Sequence, residues 1–338
     1  MIRRIILICL LFCIYACNDN SFNGRVVKLR EDPLEKKMTG KKILSVPGAG
    51  ILYITYPYLL ISTYNLPYFL KVIDIRTYET AGLFAIKGNG PEEFLSFKII
   101  NQTYPDDGLF LAMDYYKKQV YTFRPDELMK EMKLTVKPVG TYFSTAEPFH
   151  VFDRGDEYFL IKSYDRETNE MVYLITGKQD TGRISKRVAT LYKEPLSLRN
   201  LDHMLTLADG YEISRDLIVS LSGNRQIDII DVKKPANNRS FLPPPYRERI
   251  PVQKLSYLDP GKDSYYISLP RFNKDKIMAL YKSPAGIQFH ITDWNGKTFR
   301  RIHLTEDIRD FNMDWENKTV YGISLDEDIY TYDLSNII

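Results

Sequence analysis

Between Tyr58 and Phe84 the chain reads YLLISTYNLPYFLKVIDIRTYETAGLF, three short apolar runs broken by turn residues, with no helical period. Leu59–Ser62, Leu70–Ile75 and Ala81–Phe84 each have strand length, and Asn65, Pro67 and Arg76–Thr80 supply the polar punctuation of tight connections. Such a unit is a small antiparallel sheet that cannot cover both of its faces, so it must stack on copies of itself.

The copies are visible. The third strand of the unit recurs as Lys71–Ile75, Gln119–Phe123, Met171–Ile175, Gln226–Asp231, Gln288–Asp293 and Asp328–Asp333. A second strand precedes each, at Leu59–Ser62, Leu109–Met113, Tyr158–Lys162, Leu217–Leu221, Lys276–Tyr281 and Thr319–Ser324. Inner strands are less regular and are expected near Ile51–Thr55, Lys98–Gln102, Pro148–Phe152, Leu207–Ile213, Tyr265–Pro270 and Ile308–Asp314. A spacing of about 50 residues, with four strands to a unit, predicts an all-β fold, a six-bladed β-propeller over residues 25–338. The last unit stops after its third strand, and an uncovered edge invites aggregation, so the alternating Arg25–Arg30 is expected to add the missing outer strand and close the ring. Tyr192–Leu205, with apolar residues near helical spacing after Pro195, is expected as a short helical insertion.

The N-terminus changes the picture of where the ring resides. Arg3 and Arg4 precede an apolar run from Ile5 to Tyr15, too short to span a bilayer and right for a secretory signal peptide over residues 1–16. The run ends in Ile14-Tyr15-Ala16-Cys17, which resembles the bacterial lipobox. That resemblance implies a Cys17 carrying three acyl chains, palmitate among them, more than stable anchoring requires. An ordinary signal peptide cut near Ala16, or an uncleaved anchor, is the alternative. Residues 17–24 are polar and read as a lipidated tether, and Asn18 after the cysteine is compatible with sorting to an outer membrane. The expected location is therefore the bacterial cell envelope, with the membrane as partner through the lipid anchor.

Composition narrows the chemistry. All three cysteines, Cys9, Cys13 and Cys17, lie in that leader, so the body holds no disulfide, no thiolate zinc site and no cysteine nucleophile. Net charge is +3, falling to +1 without the leader, and the signs are interspersed, which gives no electrostatic case for nucleic acid.

Lys87–Phe94 reads KGNGPEEF, between the outer strand of the first unit and the inner strand of the second. Gly88-x-Gly90-Pro91-x-Glu93-Phe94 resembles the G-x-G-P-x-E-F turn of TolB-like and NHL-like six-bladed β-propeller lipoproteins of Gram-negative envelopes. Gly88 and Gly90 can take positive φ, Pro91 fixes the bend and Phe94 can plug between blades. A phosphate loop is excluded by the absence of Lys-Ser/Thr after the glycines. The resemblance implies blade geometry and no catalytic role.

Catalytic chemistry finds little support. His150, His203, His290 and His303 contain no pair at metal-ligating spacing. His290 reads as an exposed polar position, and His150 as a residue that an inner strand can turn toward the central channel. Asp106-Asp107-Gly108, Asp153–Glu157 and Asp326-Glu327-Asp328 fall at hairpin turns, where carboxylates satisfy turn backbone. No metal and no cofactor is expected. Tyr64, Tyr68, Tyr115, Tyr116 and Tyr164 sit in or beside connections between second and third strands, which share one rim, and tyrosine suits peptide or glycan contact. Tyr64, Tyr115, Tyr116 and Tyr164 are the candidate binding residues. The function expected is a monomeric, non-catalytic binding propeller that recognises a protein, peptide or glycan. The alternative is a glycan-active lyase or hydrolase with its site at the channel mouth.

Overall fold

The computed structural model describes residues 24–32, 36–103, 108–142, 148–165, 170–179, 184–188, 208–221, 225–247, 259 and 262–338. The leader, Cys17, His203, the 192–205 insertion and the Asp106-Asp107 pair lie outside them.

The described strands form six sheets in chain order, each running outward from its inner strand. The first comprises Ala49–Thr55, Tyr58–Thr63, Tyr68–Asp74 and Glu79–Ile86. The second comprises Lys98–Ile99, Phe110–Asp114, Gln119–Phe123 and Lys137–Thr141. The third comprises Pro148–Asp153, Tyr158–Asp165, Glu170–Gly177 and Ile184–Val188. The fourth is built from Asp209–Glu212, Leu217–Ser220, Ile227–Asp231 and Arg239–Leu242. The fifth has a broken inner strand, Tyr265–Tyr266 and Arg271–Phe272, followed by Lys276–Ser283, Gly286–Asp293 and Phe299–Leu304. The sixth comprises Ile308–Asp314, Thr319–Ser324 and Asp328–Asp333. Alternation buries one set of side chains of each sheet against the next, and the apolar clusters accordingly span neighbouring sheets.

This is an all-β propeller of five full blades, which corrects the six expected. Five sheets offer an inner strand of at least four paired residues, whereas the second offers only Lys98–Ile99. The chain then turns inward at Asn101, and Gln102–Thr103 pairs in parallel with the inner strand of the fourth sheet. Five blades are full, and the second is curtailed because its inner strand leaves to occupy the centre.

That excursion bolts the ring. Asn101 Nδ2 donates to the carbonyls of Asp209 (3.2 Å) and Pro270 (2.8 Å), and Gln102 clasps the backbone of Asp153 through both atoms of its amide. Arg271 donates to the carbonyls of Phe311 and Leu52, both at 2.8 Å, and to Asn101 Oδ1, while its guanidinium lies 5.0 Å from the Tyr53 ring centroid. Backbone carbonyls that face the axis have no ladder partner there, and these side chains supply the missing donors.

Closure differs from the expected one. The strand beside Asp328–Asp333 is Lys41–Ser45, antiparallel, with Ile329 opposite Leu44. Arg25–Lys28 instead runs parallel to Arg239–Leu242 on the outer edge of the fourth sheet, and Lys36–Met38 runs parallel to Phe299–Leu304 on the fifth. The start of the chain is a strap around three consecutive edges, because Lys41–Ser45 is the first segment close enough to Ala49 to pair and still turn into the first inner strand. Tyr332 secures it: a Cβ on Gly40 would meet its ring, and its hydroxyl donates to Glu306.

The helix Pro125–Glu131, between third and fourth strands of the second sheet, was not expected. Its signals are present in the sequence, with Pro125 in the first turn, acids at Asp126 and Glu127 and Lys130 in the last turn.

Candidate functional site

Antiparallel order puts the connections of first to second and third to fourth strands at one end of each sheet and those of second to third at the other. Contacts between sheets keep the ends in register around the ring. Arg154 of the third sheet's first connection pairs with Asp216 of the fourth's (2.8 Å), and Leu325 N of the sixth sheet's second-to-third connection donates to Asp307 O at the entry to that sheet.

The second-to-third face carries the tyrosines. Tyr64 is 54% exposed; its ring rests over Gly50 and Ser62, where a Cβ on Gly50 would collide with it. Tyr116 is 69% exposed, with Leu325 (59%) and Leu95 (40%) on the same face. Tyr115 and Tyr116 lie in the turn after Phe110–Asp114 and not in a strand, so alternation does not separate them. Asp114 makes the separation, because it accepts from the amides of Tyr116 and Lys117 and from Leu95 N, which fixes the turn. Tyr115 packs on the apolar cluster between the second and third sheets and Tyr116 points outward. Tyr68 begins the first sheet's third strand and is half-buried. Tyr164 is in the second strand of the third sheet, opposite Met171, and its side chain lies outside the described residues.

The Lys87–Phe94 turn joins Tyr64's sheet to Tyr116's. Glu93 folds back so that Oε2 accepts from Gly90 N at 2.8 Å, and a Cβ on Gly88 would sit 1.9 Å from that oxygen. The glycines are therefore needed for close approach, since neither is among the positive-φ residues, which corrects the expectation. Pro91 begins the exposed apex, and Phe94 is buried in edge contact with Phe97 and Tyr121. Lys117 Nζ donates to Glu93 O (2.7 Å), tying the Tyr116 turn to this one.

Inside the ring lies a charged cluster that spacing could not reveal. Lys162 and Tyr173, cross-strand partners in the third sheet, both donate to Asp209 Oδ2 at 2.7 Å from the start of the fourth inner strand. Burial pushes the Asp209 carboxyl up, but Lys162 and the hydrogen bonds outweigh it and hold it below the usual range. Burial and Asp209 push Tyr173 well above the ordinary phenol value. The acid and the phenol are thus driven apart, and neither exchanges a proton near neutrality. Loss of either charged partner would strand the other, at a cost of about 3–5 kcal/mol. Desolvation by the surrounding protein lowers the pKa of Lys98 against the pull of Asp209. His150 is half-buried and stacks on Phe152 (5.7 Å, 7°).

His290 is fully buried, contrary to expectation. Its rings of contact are Tyr266, whose hydroxyl is 3.0 Å from Nδ1, Gln288, whose Oε1 is 3.2 Å from Nε2, and Tyr281, stacked at 4.4 Å. Two same-face polar neighbours, Gln288 and Thr292, are buried with it, so the alternation was right and the choice of wet face was not. Among the described residues no three His, Cys, Asp or Glu side chains converge as a metal site.

The opposite face holds a pocket of about 410 Å³ between the fourth and fifth sheets, lined by Arg215, Leu217, Arg239, Lys274, Asp275, Asp293, Trp294 and Asn295. None of these residues stood out in the sequence. Their only signal is that cations recur in or beside three separate connections, at Arg215, Arg239 and Lys274.

These features define a β-propeller whose centre is bolted and whose two faces differ, one carrying Tyr64, Leu95, Tyr116 and Leu325 and the other a pocket lined by three cations. A Bacteroides fragilis protein inferred to be exported has a similar crystal structure, with a TM-score of 0.52 at 10% identity, covering 91% of this chain and 98% of that one. The Cps50 (Swd1) β-propeller domain from Myceliophteria thermophila aligns with a TM-score of 0.44 at 9% identity, covering 88% of this chain and 100% of that one. No family model and no curated protein matches the sequence. The first likeness supports the propeller fold.

Proposed function

We propose that this protein is an envelope lipoprotein, anchored at Cys17 to the outer membrane, whose propeller binds a protein, peptide or glycan through its tyrosine face without catalysing a reaction. The observation that carries the reading is the contrast between face and interior. Tyr64, Leu95, Tyr116 and Leu325 stand exposed on turns held rigid by Asp114, Glu93 and Gly50, while the charged groups inside are committed to one another. Rigid, amphipathic aromatics lose little entropy on binding. The inferred export of the Bacteroides fragilis neighbour accords with an envelope address.

The second reading, a glycan-active lyase or hydrolase at the channel mouth, has Lys98 in its favour, with His150 beside the same Asp209. A photo-crosslinking residue at position 116 is expected to give one adduct with an envelope component, in cells where wild-type protein incorporates labelled palmitate and Cys17→Ser does not. Normal palmitate incorporation by Cys17→Ser defeats the anchor. Absence of any adduct, together with glycan turnover abolished by Lys98→Met, replaces binding with catalysis.

A further inference from the structure

The pocket between the fourth and fifth sheets gathers three cations, Arg215, Arg239 and Lys274, of which Arg215 lies 3.8 Å from the Glu212 carboxylate outside the lining. Arg239 gives Nη1 to Asn295 Oδ1 (3.2 Å), and its buried Nε has no hydrogen-bond partner among the described residues. Arg25, its opposite number on the parallel strap strand, adds like charge beside it. Arg215 sits over Trp294, 5.0 Å from the ring centroid, and is held there by a hydrogen bond to Lys274 O, so its cation is positioned in advance. Of the two carboxylates in the wall, Asp293 is committed to its own turn: it accepts from the amides of Asn295 (2.7 Å), Lys297 (3.2 Å) and Thr298 (2.9 Å) and from Thr298 Oγ1 (2.9 Å). Asp275 is exposed at the edge. Among the described residues Arg215 pairs with Glu212 at 3.8 Å, whereas neither Arg239 nor Lys274 has an ion pair within 4 Å. Burial lowers the Arg239 pKa; Asp231 and Asp293 pull against it and Arg25 adds to it, and the net lowering is a penalty that an anion in the pocket would relieve.

We propose that this pocket is a binding site for a phosphate-class oxyanion. Two guanidiniums and an ammonium lining one pocket beside an indole supply the positive charge and forked hydrogen-bond donors that such a group accepts. The place of the pocket favours a lipid headgroup as the source, an extension that rests on the anchored reading above. Arg25 N donates to Asn238 O at 2.9 Å, so the strap enters the fold beside the pocket, and the eight residues 17–24 reach at most about 30 Å when fully extended. A lipid on Cys17 keeps this face, and not the tyrosine face, near the membrane.

Trp294 and Trp315 are the two tryptophans, so Trp315→Phe makes Trp294 the sole fluorescent indole. The full chain carrying that change, in neutral detergent at constant ionic strength, is titrated with sodium phosphate against sodium chloride, then with phosphatidic acid in zwitterionic micelles. Saturable change with phosphate and not with chloride is expected, weakened at least tenfold by Arg239→Gln and by the exposed Lys274→Gln, with the melting temperature of Lys274→Gln unchanged. Tighter binding of phosphatidic acid than of phosphate by tenfold or more supports the headgroup, and equal affinity overturns that source while keeping the oxyanion site. Absence of saturation with either probe, or saturation indifferent to both substitutions, overturns the site itself. None of these readings depends on palmitate at Cys17, so a failed anchor and a failed pocket are told apart.

Discussion

His290 shows how burial at one residue becomes pH dependence of the whole. Desolvation, then Arg301 and His303, hold its pKa well below the ordinary imidazole value, and the ring is sandwiched among Tyr266, Tyr281 and Phe299. In the unfolded chain the same ring takes a proton near pH 6.5. Below that pH the unfolded state binds a proton that the folded state refuses, so stability is full above about 6.5 and falls by up to ~1.4 kcal/mol for each unit of acidification. Denaturant unfolding at pH 7.5 and 5.5 is expected to show a loss in wild type that His290→Gln lacks. Equal losses would mean that His290 titrates in the fold. The sequence placed this histidine on the correct side of its strand with Gln288 and Thr292, but alternation cannot say which side of a sheet faces water when both faces are packed. The same limit hid Lys162, Tyr173 and Asp209, which are separated by up to 47 residues and meet only because neighbouring sheets stack.

At the scale of elements, several strands bounded by turn residues were legible to the residue. Gln119–Phe123, Ile308–Asp314, Thr319–Ser324 and Asp328–Asp333 stand where the pattern put them. Asp293, Asp314 and Asp333 accept from amides a few residues on, so each is both the last strand residue and the first turn residue. The inner strand of the second sheet and the strap were not legible, because an edge strand is chosen by reach and by the vacant edge, and three segments, Arg25–Lys28, Lys36–Met38 and Lys41–Ser45, compete with similar alternation. Their roles differ energetically. A chain beginning at Gly40 loses two outer parallel strands whose burial is slight and is expected to remain folded with a modestly lower melting temperature. One beginning at Val46 exposes the edge of Asp328–Asp333 and is expected to aggregate or to melt far lower. Equal melting of the two chains would mean that Lys41–Ser45 does not close the ring.

For the molecule as a whole, the account rests on a division of labour between a bolted centre and two unlike faces. Arg271, Asn101 and Gln102 join inner strands around the axis, which turns the ring into a rigid mount, and function on rigid mounts resides in the connections. Exposed aromatics occur on both ends of the first sheet, since Tyr56 and Tyr78 lie in its first-to-second and third-to-fourth connections and Tyr64 lies in its second-to-third. Only the Tyr64 side joins Leu95, Tyr116 and Leu325, so the two ends provide a matched comparison within one protein. Capture of the envelope partner that crosslinks at position 116 should be quantified for wild type, for Tyr64→Ala with Tyr116→Ala, and for Tyr56→Ala with Tyr78→Ala, alongside each melting temperature. The predicted result is capture reduced at least tenfold by the first pair with melting unchanged, and capture retained by the second pair. Capture retained by the first pair, or lost equally by both, would contradict the claim that this propeller works by binding through its tyrosine face.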